Sequence, residues 1–108
     1  MSTIKIITYA TSAKKEPFTD WLDDLDDKTR AIIVARLDRV SLGNVGDHTP
    51  ITNEITELRI HYGPGYRVYF GRAKKTLVIL LIGGDKRSQV RDIAKAKRYW
   101  LDYKESLL

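Results

Sequence analysis

Cysteine is absent from this chain of 108 residues. Its absence excludes disulfides and thiolate metal sites, and it suits a reducing compartment. Long apolar runs are absent too: the longest, residues 77–82, is far shorter than the roughly 20 residues of a membrane helix. Residues 1–9 alternate in polarity and do not form the apolar core of a signal peptide. We therefore predict a cytoplasmic protein with no membrane span, and at this length a single domain over residues 1–108.

Acidic residues are scarce in the second half of the chain. Residues 1–53 hold seven Lys and Arg against eight Asp and Glu, whereas residues 54–108 hold twelve against six. The net charge of +5 thus arises in the second half. Such an imbalance favours a polyanionic partner or an acidic protein partner, and a solvated basic surface is the alternative.

The first half shows one strand followed by two helices. Residues 3–9 are rich in β-branched residues, which is typical of a strand. Phe18, Trp21, Leu22 and Leu25 recur at helical spacing after Pro17. A second helix is predicted from about Lys28 to Leu42, and the following segment 43–53 is predicted to be a loop.

The second half shows three strands and a last helix. The strands are predicted at residues 57–62, 66–72 and 76–82, with short turns between them. The last helix is predicted from about Ser88 to about Glu105, and its predicted inward residues are Val90, Ile93, Ala94, Trp100 and Leu101. The order β-α-α-β-β-β-α indicates an α+β fold in which helices cover one side of an antiparallel sheet of about four strands.

Polar side chains alternate with apolar ones in the first two of these three strands. A symmetric Gly63-Pro64-Gly65 turn would pair His61 with Arg67 and Arg59 with Tyr69 on one open face. These groups suit cleavage of an RNA phosphodiester, which needs proton transfer and a cation at the phosphate. Histidine transfers protons near neutral pH, arginine binds phosphate, and tyrosine stacks or donates a hydrogen bond. No metal or other cofactor is expected.

Simpler readings of these residues stay open. His61 is also consistent with a solvated side chain, and Arg59 and Arg67 with ordinary ion pairs. Gly83 and Gly84 precede the basic residues Lys86 and Arg87, which is a weak phosphate-binding signal. Four basic side chains share one arc of the last helix and could contact RNA or an acidic segment of a protein partner; they are Arg87, Arg91, Lys95 and Arg98.

Three segments resemble the RelE/ParE toxin superfamily, and more narrowly its HigB-like "addiction module killer protein" branch. They are Glu57-Leu58-Arg59, Gly65-Tyr66-Arg67-Val68-Tyr69 and Leu81-Ile82-Gly83-Gly84-Asp85-Lys86. The likeness covers nearly the whole chain. It implies a RelE-like fold and a toxin of a type II toxin-antitoxin module.

The resemblance also implies roles for single residues. Arg67 corresponds to a phosphate-contacting arginine, Arg59 to a basic residue on the preceding strand, and Lys86 to a basic residue after the last strand. RelE has a tyrosine after an Arg-Ser-x-Val segment, but here Arg91 follows residues 87–90. Tyr69 or His61 is the candidate substitute.

Relatives of this kind act in two ways. RelE-like and HigB-like toxins cut messenger RNA on the ribosome without metal, whereas ParE-like toxins inhibit DNA gyrase. The leading hypothesis is a ribosome-dependent mRNA endonuclease that inhibits translation. The alternatives are a non-catalytic gyrase inhibitor and a basic nucleic-acid-binding module. The expected partner is a cognate antitoxin of the helix-turn-helix type.

Overall fold

The computed structural model describes residues 3–108. It has five strands, three α-helices and one short 3-10 turn over Lys86–Ser88. The strands are β1 Lys5–Thr8, β2 His48–Pro50, β3 Ile55–Ile60, β4 Tyr66–Lys74 and β5 Leu77–Asp85. The helices are α1 Pro17–Asp23, α2 Asp27–Ser41 and α3 Gln89–Ser106. The predicted α+β class and the order of its main elements are confirmed.

The sheet has the strand order β1-β5-β4-β3-β2. β1 runs parallel to β5, and the other neighbours are antiparallel, so the sheet is mixed rather than wholly antiparallel. The fifth strand, β2, lies within the segment predicted to be a loop. It is three residues long and ends at Pro50, which has no N–H to donate and therefore suits the edge of a sheet.

The helices cover both faces of the sheet, so the prediction that they lie on one side is wrong. α1 and α2 pack Phe18, Ile33 and Val40 on one face, whereas α3 packs Ala96 and Trp100 on the other. The reason lies in β5. Its apolar run places Val78 and Leu80 toward α1 and α2, and Ile79 and Leu81 toward α3. A strand that is apolar on both sides needs cover on both sides.

The predicted inward face of α3 is confirmed at Trp100 and at Ile93, which packs against the same cluster, but it is wrong at Val90, Ala94 and Leu101, which are exposed. Val90 is 86% exposed and Leu101 55% exposed, whereas Asp92, Ala96 and Trp100 are buried. Trp100 sits so close to Gly71 that a β-carbon there would lie 2.2 Å from the indole ring. The lack of a side chain at Gly71 therefore helps to fix the rotation of α3, because it leaves room for the Trp100 ring. The apolar pattern of the helix alone does not fix it.

The paired glycines are a packing feature within β5. A β-carbon at Gly83 would lie 2.2 Å from the Trp21 ring on one face, and a β-carbon at Gly84 would lie 1.8 Å from the Asp92 carboxylate on the other. Neither glycine is among those with a positive φ. They are thus required for space: α1 and the start of α3 approach β5 closely at successive residues.

Tyr9, directly after β1, is hydrogen-bonded to α3, and this contact makes the fold less stable at alkaline pH. Its hydroxyl donates to the Asp102 carboxylate at 2.6 Å, and burial, followed by this bond, raises the pKa of Tyr9 to about 12. The contribution is complete below the unfolded value of about 10 and is lost as the pH rises toward 12. We expect urea unfolding to show falling stability across this interval, with a smaller fall in Tyr9→Phe. An equal fall in the variant would contradict this assignment.

No helix within residues 3–108 combines the length and the hydropathy that a membrane span requires.

Candidate functional site

The β3–β4 hairpin sets the positions of the two candidate arginines. Arg59 pairs with Arg67, and Glu57 pairs with Tyr69. The predicted pairs, His61 with Arg67 and Arg59 with Tyr69, are wrong because the connection takes five residues, 61–65. Within it the Tyr62 N–H donates to the Ile60 carbonyl at 2.9 Å, which ends β3 earlier than predicted. The register differs by two residues, so the same side chains still share one face.

This face is largely covered by the beginning of α3 and is not the open face that the sequence predicts. Tyr69 is wholly buried. The side chains of Glu57 and Arg67 are only 3% and 14% exposed. The face opens only at its end, where β3 and β4 meet the 3-10 turn.

A cavity of about 270 Å³ lies at this open end. We call it the arginine cavity. The structure brings four of the five predicted catalytic residues to it, namely Arg59, His61, Arg67 and Lys86. The remaining lining residues are Ile60, Gly65 and Tyr66. Three cationic side chains and one histidine thus surround a single small space, which suits one phosphate group.

Asp47 joins two of the cavity residues from the loop before β2. Its carboxylate accepts a hydrogen bond from Arg59 Nη2 at 3.0 Å and another from His61 Nε2. These bonds, that of His61 first, hold the pKa of Asp47 below its usual range. Because an ionised carboxylate only accepts, Nε2 of His61 carries the proton in this bond. Nδ1 of a neutral His61 is then free to accept a proton from another group.

Glu57 lies at the centre of a buried network behind the cavity. It accepts hydrogen bonds from the Tyr69 hydroxyl at 3.1 Å and from Gln89 Nε2 at 2.9 Å. Its other oxygen lies 3.6 Å from Arg67 Nε. The network therefore anchors Arg67 at the Nε side of its guanidinium. The same residue lines the arginine cavity.

The buried position of Tyr69 changes its expected role. Burial, and then the neighbouring Glu57 carboxylate, raise the pKa of Tyr69 above its ordinary value. The hydroxyl remains protonated and donates to Glu57. Tyr69 is thus placed to hold Glu57, and it neither lines the cavity nor has a surface on which a base could stack.

Basic residues of the 3-10 turn and of α3 line a second, larger space next to the arginine cavity. Arg87, Arg91 and Lys95 border a groove of about 640 Å³ beside the end of β5. We call it the basic groove. Arg98 does not line it, because its guanidinium lies over the Tyr99 ring at 5.5 Å from the ring centre. The predicted stripe of four cations is therefore divided into a group of three and a separate Arg98.

Sequence reasoning missed Asp47, Glu57, Gln89 and Trp21 as parts of these sites. Alternation along β3 already places Glu57 on the face of Arg59, so a signal for Glu57 existed. No spacing rule connects Asp47 with His61, because a loop and a hairpin bring them together. Among residues 3–108 no group of three or more metal-ligating side chains is gathered.

Comparison with known proteins supports a toxin assignment. Residues 20–100 match the family described as "Phage derived protein Gp49-like (DUF891)". An uncharacterized protein of Haemophilus influenzae is 47% identical over 81 residues, which cover 74% of this chain and 82% of that relative. The family match includes the end of α1, all of α2, the residues of the arginine cavity and most of α3. The chain therefore belongs to the Gp49-like phage-derived family, a toxin family of the RelE/addiction-module type whose members pair with antitoxins.

Proposed function

We propose that this protein is a HigB-like toxin that cuts messenger RNA on the ribosome by metal-independent transfer of the phosphoryl group to the ribose 2′-hydroxyl. The observation that carries the proposal is the arginine cavity, in which Arg59, Arg67, Lys86 and His61 surround a space of about 270 Å³. A helix-turn-helix protein is the proposed antitoxin. The proposed place of action is the cytoplasm.

Arg67 and Lys86 hold the scissile phosphate in this mechanism. Arg67 offers a planar guanidinium that is anchored from behind by Glu57, so little side-chain freedom is lost on binding. Lys86 lies at the start of the 3-10 turn and is exposed, with no ion-pair partner among residues 3–108. These two cations stabilise the negative charge that accumulates on the phosphate oxygens during the reaction.

His61 transfers the proton and Asp47 positions it. Nδ1 of His61 accepts the proton of the 2′-hydroxyl as the 2′-oxygen forms its bond to phosphorus and the bond from phosphorus to the 5′-oxygen breaks. The departing 5′-oxygen takes a proton from a water molecule, and the hydroxide so formed takes back the proton that His61 accepted. The products are a 2′,3′-cyclic phosphate and a 5′-hydroxyl end. Asp47 holds the ring by Nε2 and stabilises the imidazolium that forms.

The ribosome has a physical reason to take part. No second histidine lines the cavity, and the His61 side chain is 76% exposed, so the cavity alone does not enclose the reacting groups. A message fixed on the ribosome supplies the in-line geometry of the 2′-hydroxyl and the phosphate. Such positioning is worth several orders of magnitude in rate.

Expression in bacteria tests the choice of target. Primer extension on translated messages should show cuts in phase with codons, and these cuts should disappear when translation is blocked. Messages that stay intact while gyrase–DNA cleavage complexes accumulate would replace the nuclease proposal with gyrase inhibition. Absence of both effects and of growth arrest would favour a basic binding module.

Asp47→Asn tests the proton-transfer role of His61 and its contact with Asp47. We expect message cleavage to fall by about 10- to 100-fold, because the ring loses its orienting carboxylate. His61→Gln should remove nearly all cleavage. Asp23→Asn, on the exposed face of α1, is the matched control and should cut normally. Wild-type rates in Asp47→Asn would show that the Asp47–His61 contact is only structural.

A further inference from the structure

An aromatic side chain lies in the basic groove next to the arginine cavity. Trp21 lines the groove together with Gly83 and Gly84 of β5. Its ring is partly exposed. It is fixed by contact with the Gly83 backbone and by an edge contact with Tyr66, whose ring centre lies 6.2 Å away. Because Tyr66 also lines the arginine cavity, the two sites share a wall.

The cations of the groove are free to meet an anion. Arg91 and Lys95 form no ion pair within residues 3–108. The two carboxylates that border the groove are already engaged. Asp92 is buried and accepts from the Ser88 hydroxyl, whereas Asp85 accepts from the Arg87 N–H at 2.8 Å and from the Arg87 side chain at 3.3 Å. The groove is lined by three cations against these two carboxylates, so an approaching anion meets an excess of positive charge.

We propose that the basic groove is a nucleotide subsite, in which Trp21 stacks on a base of single-stranded RNA and Arg91 and Lys95 bind the flanking phosphates. The nucleotide that it holds is a neighbour of the one whose phosphate occupies the arginine cavity, since Lys86 and Arg87 connect the two spaces. A fixed aromatic ring with unpaired cations beside it is the usual arrangement for binding single strands without strict sequence preference. The inference rests on the proposed function, because it assigns a second part of the same substrate.

The geometry also favours RNA over a protein segment. A volume of about 640 Å³ lies within the range of small-molecule sites and accommodates a nucleotide. The groove offers an aromatic ring and cations but no long apolar surface. Besides Trp21, its apolar lining is the buried Ile82, next to the backbone of the two glycines. A protein partner would find few side-chain pockets there.

Tryptophan fluorescence provides a direct test. The chain has two tryptophans. Trp100 is buried between α3 and the sheet, and Trp100→Phe leaves Trp21 as the single fluorescent tryptophan. The probe is a fluorescein-labelled 2′-O-methyl oligouridine of ten nucleotides, which binds but lacks the attacking hydroxyl. Titration with the unlabelled probe should quench the emission of Trp21. The midpoint of this quenching should equal the midpoint of the anisotropy change that the labelled probe shows on binding. Inorganic phosphate should not quench it.

Substitutions give the second readout. Trp21→Leu should weaken RNA binding roughly tenfold, and Trp21→Phe should restore most of it, because only the aromatic ring stacks. Arg91→Ala and Lys95→Ala should each reduce the salt dependence of binding, whereas Arg98→Ala, outside the groove, should not. Thermal unfolding of each variant checks the fold. If Trp21→Leu does not fold, the quenching in Trp100→Phe decides alone.

Three results would overturn the inference. The first is RNA binding that Arg67→Lys weakens, but that neither quenches Trp21 emission nor changes in affinity with Trp21→Leu. The second is RNA that does not bind the free protein at all. The third is quenching by the purified antitoxin but not by RNA, which would make the groove a protein-binding surface. Codon-phased cuts in cells would keep the proposed function intact in each case.

Discussion

Arg67→Lys is expected to lower message cleavage by at least about a hundredfold, which is the effect of losing one donor aimed at a developing charge. Lysine keeps the positive charge beside Glu57 but lacks the planar guanidinium, which can hold the phosphate with two donors at once. The measurement is primer extension on a translated message at matched protein levels. Arg72→Lys is the control, because Arg72 lies on the same strand but is exposed and lines no part of the arginine cavity.

The alanine variant at this position is a poorer test than the sequence suggests. An open-face arginine could be removed without effect on the fold, but Arg67 is 14% exposed and faces the buried Glu57 carboxylate. Removing it leaves that carboxylate without its cation, which destabilises the fold. Loss of toxicity in Arg67→Ala would therefore mix two causes. Full cleavage by a well-folded Arg67→Lys variant would show that the guanidinium does not hold the phosphate.

Glu57→Ala is expected to lower the free energy of unfolding by about 3 kcal/mol, the scale measured when one partner of a buried pair is removed. Two donors lose their acceptor together, namely the Tyr69 hydroxyl and Gln89 Nε2. The Arg67 guanidinium also loses the carboxylate that lies 3.6 Å from its Nε. Each donor that stays buried without a partner carries its own cost. Urea unfolding followed by circular dichroism measures the change.

A neighbouring carboxylate provides the control for this prediction. Glu54 accepts from Lys104 Nζ at 2.8 Å, but both side chains are about two-fifths exposed. Glu54→Ala should therefore cost less than about 1 kcal/mol. If Glu57→Ala and Glu54→Ala proved equally mild, the buried network would not anchor Arg67, and the preorganised cavity would lose its structural basis.

The apolar pattern of the sequence predicts most of the fold. Phe18 and Trp21 mark α1, and the apolar run of β5 marks an interior strand of the sheet. That same run holds the reason why the one-sided arrangement was wrong, since Ile79 and Leu81 need cover as much as Val78 and Leu80 do. The rotation of α3 was predictable only in part. Its apolar pattern places Ile93 and Trp100 inward, but the burial of Asp92 depends on the space left by Gly84 on β5.

The candidate site was predictable in its cations and not in its carboxylates. Arg59 and Arg67 share a face under either register, because an error of two residues leaves every side chain on its own side. Asp47 reaches His61 across 14 residues and Gln89 reaches Glu57 across 32. Such contacts depend on the tertiary fold, and local pattern rules do not encode them.

The chemical nature of the cut ends tests the central claim most directly. Messages from cells that express the toxin can be ligated to adapters before and after kinase treatment, which separates 5′-hydroxyl from 5′-phosphate ends. We predict codon-phased ends that carry a 5′-hydroxyl, with a 2′,3′-cyclic phosphate on the upstream fragment, and their loss in Arg67→Lys. Ends that carry a 5′-phosphate, or ends that persist in Arg67→Lys, would contradict the proposed role of the arginine cavity.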